Sequence, residues 1–277
     1  MNTKQYTYPR IGLLIDGEWI YDRPKLCDVE NPSDESIIGH VPKASAQDLK
    51  NALESSARGF EVWRKTPPSE RAAIMRRAAV LVRQRAHDIA PIFTMELGKT
   101  ISESLAEIER SATFLDWDSE EIRRLYGRIV PTDPPIQQFV VREPIGPVAA
   151  FTPWNVPMSA PSRKISASLA AGCSIILKPA SETPATACLF AQCFLDAGLP
   201  KGVLNLVFGD SDEVSRTLIL SPITRMVSLT GSVNVGRRLM MLAAEAMKPT
   251  LMELGGHAPV LIDENVNHDE IAQLAVN

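Results

Sequence analysis

From Gly146 onward the chain alternates short apolar runs with longer amphipathic stretches. The runs "GPVAAFTP", "SIILKP", "VLNLVFG" and "RMVSLTG" are separated by "PMSAPSRKISASLAAG", "PATACLFAQCFLDAG" and "DEVSRTLILS", and "VNVGRRLMMLAAEAM" follows the last of them. Apolar runs of about five residues read as strands buried on both faces, and the stretches between them carry helical periodicity with glycine stops at Gly172 and Gly198. Strands joined through helices lie parallel, and a parallel sheet is covered on both faces. The pattern therefore predicts an α/β fold, a parallel sheet with helices on both faces.

Ligands of such sheets sit at the carboxyl ends of the strands, which selects residues directly. Thr152, Pro153, Trp154 and Asn155 follow "VAAF"; Lys178 and Pro179 follow "IIL"; Thr230, Gly231 and Ser232 follow "MVSL"; Glu253 follows "TLM". Singly, each has an ordinary structural reading. Asn155 or Ser232 can be a helix N-cap, Lys178 a solvated loop cation and Glu253 an exposed strand end. Together, on the binding edge of one sheet, they read as a site. Gly231 precedes a helix and Gly236 lies in its first turns, so backbone N–H groups there can meet a diphosphate. No G-x-G-x-x-G is present, so a nucleotide site would have to be a variant of the usual one.

The first half reads as helical. Ser45 with Asp48 forms a capping box for a helix from Ala46 to about Arg64. A second helical stretch begins after Pro67 and Pro68, with Ser69 as a candidate cap, and runs to Gly98 with an expected break near Pro91. A third runs from Ile101 to Leu125, where Phe114 and Trp117 read as packing residues. "RIVPTDPPIQQFVVREPIG" then reads as a projecting hairpin. The 277 residues are 45% hydrophobic, enough for one large or two modest domains. A formal charge of -4 with scattered basic residues argues against a nucleic-acid partner. No uncharged stretch reaches the ~18 residues that span a bilayer, no signal core is visible, and a cytoplasmic location is expected. Cys27, Cys173, Cys188 and Cys193 have no metal-site spacing and read as free thiols, mostly buried.

"FTPWNVP", "LKPASETP", "SLTGSVNVGRRL" and "MELGGHAPVLI", in this order, resemble the NAD(P)-dependent aldehyde dehydrogenase family over nearly the whole chain. Within the family, the resemblance lies toward succinate-semialdehyde and 2-oxoglutarate-semialdehyde dehydrogenases. It implies a variant Rossmann domain at 1–254 with an oligomerisation hairpin at about 126–145, and the start of a catalytic domain at 255–277 with its first strand at Pro259 to Ile262. It implies Asn155 as the oxyanion donor and Glu253 as the general base. Cofactor contacts are implied at Thr152, Pro153, Trp154, Lys178, Ser181, Glu182, Gly209, Thr230, Gly231, Ser232, Gly236, Leu254 and Gly255. A small aldehyde substrate and a homodimer or tetramer are implied for the full-length form.

Three departures refine the expectation. The family's nucleophilic cysteine, in a motif like F-x-N-x-G-Q-x-C, has no match before Asn277, so the chain is expected to be an amino-terminal fragment without activity of its own. A non-catalytic nucleotide-binding or partner-binding role is the alternative. Ser181 stands where NAD-preferring relatives often have a glutamate, which tilts the choice between NAD and NADP toward NADP, with Glu182 partly opposing. Arg163 stands where semialdehyde dehydrogenases carry an arginine, and is expected to hold a substrate carboxylate from the helix face that Asn155 begins. Lys164 reads as a surface charge.

Overall fold

The computed structural model describes residues 6–276. A seven-stranded sheet forms its centre, and its five parallel strands are those expected: β7 (Val148–Phe151), β8 (Ile175–Lys178), β9 (Leu204–Leu206), β10 (Met226–Gly231) and β11 (Thr250–Leu254). Between them run α5 (Ser159–Ala170), α6 (Pro184–Asp196), α7 (Ser211–Leu220) and α8 (Val233–Glu245). Every residue of β7 and β9 is buried, as strands covered on both faces require.

Two further strands, β1 (Leu13–Ile15) and β2 (Glu18–Ile20), come from the N-terminal region and complete the order β11-β10-β7-β8-β9-β1-β2. They join as an antiparallel hairpin, with Leu14 paired to both Trp19 and Leu206. Its two-residue turn, Asp16-Gly17, has positive φ at both positions (55° and 78°), the geometry a tight hairpin demands. A second N-terminal hairpin, β3 (Leu26–Glu30) with β4 (Ile37–Pro42), stands apart from the sheet.

A helical layer follows: α1 (Ala46–Trp63), α2 (Pro68–Gln84), α3 (Ala86–Leu97) and α4 (Ile101–Glu121). The Ser45–Asp48 capping box opens α1, and Arg23 clamps the same carboxylate at 2.7 Å. Gly59 of α1 approaches the Gly202 backbone so closely that a Cβ would lie 2.2 Å from its carbonyl carbon. Three expectations change here. Ser69 makes no cap, because Pro68 itself occupies the first helical position. The helical break falls at Arg85, and α3 passes through Pro91, which is buried. Finally, residues 259–262 form no strand but an exposed irregular segment leading to α9 (His268–Val276), itself without a buried residue.

The expected hairpin is β5 (Arg128–Val130) with β6 (Gln138–Val140), its Ile129 and Phe139 facing solvent. In the main sheet the chain runs from β7 out through β8 and β9, then returns to place β10 on the other side of β7. That reversal is the topological switch point, and the strand ends beside it form the crevice where ligands of such sheets bind.

Candidate active site

A cleft of about 380 Å³ opens at the switch point. The end of β7 lines it with Thr152, Pro153 and Trp154, the end of β10 with Thr230, Gly231 and Ser232, and the end of β8 with Lys178, Ser181 and Glu182. These nine positions were legible from the strand-end rule and from the resemblance.

The chemistry of the walls suits a nucleotide. Thr152 is buried, and its hydroxyl oxygen has no hydrogen-bond partner among the described residues. Such a group costs stability unless a ligand satisfies it. Burial pushes the Lys178 ammonium below its ordinary pKa, and the carboxylates of Glu182 and Asp210 partly restore it. A half-buried ammonium at the cleft wall is suited to polar oxygens of a ligand. Ser232 caps α8, its hydroxyl accepting from Val235 N at 3.3 Å, so the positive end of that helix opens toward the cleft.

Four residues assigned to the cofactor lie outside the cleft lining: Gly209, Gly236, Leu254 and Gly255. Two of these have packing roles. A Cβ on Gly236 would stand 2.5 Å from Leu254 Cδ2, so this glycine lets α8 close on β11. A Cβ on Gly209 would meet Val214 at 3.1 Å. Gly255 has open space around it, and packing leaves its choice unexplained. Sequence reasoning missed Ser211, Ser215, Val235 and Leu239, which line the cleft from α7 and α8. The clue was the amphipathic phase of those two helices.

Asn155 lies in the turn between β7 and α5, exposed, and is not the cap of α5, whose N-cap is Met158. Glu253 is exposed on β11, registered against Thr230 of β10. Lys164 overturns its sequence reading. It is 6% exposed, with Nζ 3.5 Å from the carbonyl oxygen of Leu229. Burial lowers its pKa, while the nearby Glu253 carboxylate favours its charged form. The residue thus turns inward beneath β10, and a candidate base and an ammonium share one electrostatic neighbourhood.

Arg163 takes the opposite face of α5. It is exposed, its guanidinium lying over the Phe114 ring at 4.6 Å, in a groove of about 480 Å³ with Trp117, Asp118 and Ala167. The helix begins only at Ser159, so Arg163 does not continue a face begun at Asn155. Trp117, expected to be packing, is 66% exposed and forms a wall of that groove. The four cysteines are free thiols; Cys173, Cys188 and Cys193 are buried, and burial pushes the Cys193 thiol up to about 11. None of them lines the switch-point cleft.

Among known proteins, the chain is 43% identical over 264 residues to 4-(hydroxymethyl)benzenesulfonate dehydrogenase TsaD1 of Comamonas testosteroni, covering 95% of this chain and 55% of that one. It is 37% identical over 265 residues to the succinate-semialdehyde dehydrogenase [NADP(+)] GabD of Escherichia coli, with the same shares covered. The crystal structure of succinate-semialdehyde dehydrogenase from Burkholderia pseudomallei superposes with a TM-score of 0.93 at 38% identity, covering 100% of this chain and 58% of that one. The chain spans about half the length of the curated relatives it matches. The profile of the aldehyde dehydrogenase family matches residues 19–277, and the chain belongs to that family.

Proposed function

We propose that these residues form the nucleotide-binding part of an NAD(P)-dependent enzyme that oxidises a small aldehyde bearing a distal anion to the carboxylic acid. The observation that carries this reading is the convergence of Thr152, Lys178, Gly231 and Ser232 on one cleft at the switch point. Residues 1–254 are assigned to cofactor binding and 255–277 to the start of a catalytic domain. The exposed β5–β6 arm is assigned to contact between copies in a dimer or tetramer.

When bound, the nicotinamide supplies the hydride acceptor. In this reading the protein residues divide the remaining work. Thr152, Lys178 and the N-terminus of α8 hold the nucleotide. The Asn155 amide donates to the oxyanion that forms when a thiolate adds to the aldehyde, a donor typically worth ~10²–10³ in rate. Glu253 takes the proton of the water that hydrolyses the thioester. The buried thiols of this chain are poor nucleophiles, and the attacking thiolate is assigned to polypeptide outside these residues.

Ser181 on the cleft wall favours NADP, since a glutamate there would repel a 2′-phosphate. Calorimetric titration of the 277-residue chain tests this part. Ser181→Glu should weaken NADP far more than NAD, and equal losses would refute the assignment. Substrate class rests on Arg163. The two relatives carry an anion in the names of their substrates, a sulfonate in one and a succinate semialdehyde in the other. The guanidinium over Phe114 offers its free edge to such a group. In the full-length protein, Arg163→Leu should cost about 2–4 kcal/mol in kcat/KM for succinate semialdehyde and spare butanal. Equal loss on both substrates would remove the anionic assignment.

A further inference from the structure

The turn that carries Asn155 is not held by its own side chains. The N-cap residue of α5, Met158, makes no side-chain cap, so the first N–H groups of the helix need partners from elsewhere. They find one in Glu107 of α4. Its Oε1 accepts from Met158 N at 3.3 Å and from Ser159 N at 3.1 Å. Its Oε2 accepts from Lys99 Nζ at 2.6 Å. Lys99 then donates to the backbone oxygen of Asn155 at 3.1 Å and lies over the Phe93 ring at 5.6 Å. One ion pair thus grips the segment 155–159 at both ends.

The pair does not serve its own helix. The start of α4 is already satisfied by a capping box between Thr100 and Glu103. Glu107 is 2% exposed, and a carboxylate is costly to bury unless its oxygens are occupied. Both of its oxygens are occupied by the Asn155 turn or by the cation attached to it. With the carbonyl of Asn155 fixed by an ammonium and the peptide groups three and four residues on fixed by a carboxylate, the backbone that aims the Asn155 amide has little freedom.

We infer that Lys99 and Glu107 are positioning residues for the Asn155 amide, a role that rests on the reading of Asn155 as the oxyanion donor. Misplacing a catalytic group by about 1 Å can cost ~10²-fold in rate without altering what binds. The effect therefore belongs in kcat and not in cofactor affinity.

The test uses the full-length protein and a cycle of variants. Lys99→Met should lower kcat about tenfold or more, with NADP affinity and aldehyde KM within about twofold of the parent. Lys99→Arg, which keeps a cationic donor, should recover most of the loss. In an Asn155→Ala background, Lys99→Met should cost nothing further, because its effect passes through the missing amide. A merely structural role predicts the same fractional loss in both backgrounds, and that result overturns the inference. If Asn155→Ala abolishes turnover while Lys99→Met equals the parent, the positioning role falls and the oxyanion reading stands. If Asn155→Ala leaves kcat unchanged, both fall. Should Lys99→Met not fold, Glu107→Gln takes its place in the same cycle, with the same outcomes deciding.

Discussion

Helices α5 and α6 follow the two strands β7 and β8 whose ends line the cleft, and the N-terminus of each is capped from a distance by a buried glutamate of the helical layer. At α5, Glu107 accepts from Met158 and Ser159, and its counterpart is the ammonium of Lys99. At α6, Glu96 accepts from Ala185 N at 2.6 Å and Thr186 N at 3.0 Å, and its counterparts are hydroxyls: Thr186 Oγ1 at 2.7 Å and Tyr8 at 2.5 Å. Neither helix has a side-chain cap of its own, since Met158 and Thr183 make no such bond. The backbone problem is the same at both sites, but only one solution brings in a cation. Without it, burial raises the Glu96 carboxyl to about 7, although four donors favour its anion. The cleft-side turn beneath Asn155 is thus held by an ion pair, and the start of α6 by a group whose charge is finely balanced near neutrality.

The largest expected effect tests the ion pair. Glu107→Ala takes the acceptor from two backbone N–H groups and the anion from beside Lys99, and should cost about 3–5 kcal/mol in denaturant unfolding. A loss below about 1 kcal/mol would mean that water serves α5 equally well, and the contrast with α6 would disappear. The next test uses pH. Between 4.5 and about 7 the folded chain keeps a proton on Glu96 that the unfolded chain has released. Stability should therefore fall as pH rises through that window, by at most about 3 kcal/mol, and be fully retained below it. Glu96→Gln should flatten that slope, while a parent chain whose unfolding free energy is already flat there contradicts the assignment. The smallest effect is that of Tyr8→Phe. It removes one donor from the anion, so its cost should reach about 1.5–3 kcal/mol above neutrality and shrink on acidification. A cost independent of pH would make Tyr8 a packing residue only.

Much of this was legible in the chain itself, and the exceptions share a cause. The strand-and-helix alternation, the Ser45–Asp48 cap and the stop at Gly98 are local patterns, and each appears in the structure. The edge hairpin β1–β2 was overlooked although its Asp16-Gly17 turn was visible, because no local feature says that the strand next to it is β9. Lys164 was misread for a similar reason. Whether a lysine faces in or out depends on β10 and the Leu229 carbonyl, which lie far away in sequence. Glu96 and Glu107 look like solvent residues on helices, and only the helix ends packed against them reveal their purpose. Pro91 was read as a break on propensity alone, and packing overrode it.

The pairing of Leu14 with Leu206 also bears on how the chain acquires its structure. Strand β1 is entirely apolar and buried in the finished fold, yet its neighbour β9 is synthesised roughly 190 residues later. At translation rates of ~5–20 residues per second, the nascent chain carries "LLI" without its docking partner for about 10–40 s. The β1–β2 hairpin can form early, but one side of it stays an open, adhesive edge throughout that interval. Sealing the sheet is thus a late, long-loop event, and ribosome-bound intermediates of this protein should engage holding chaperones through the β1–β2 segment, residues 13–20.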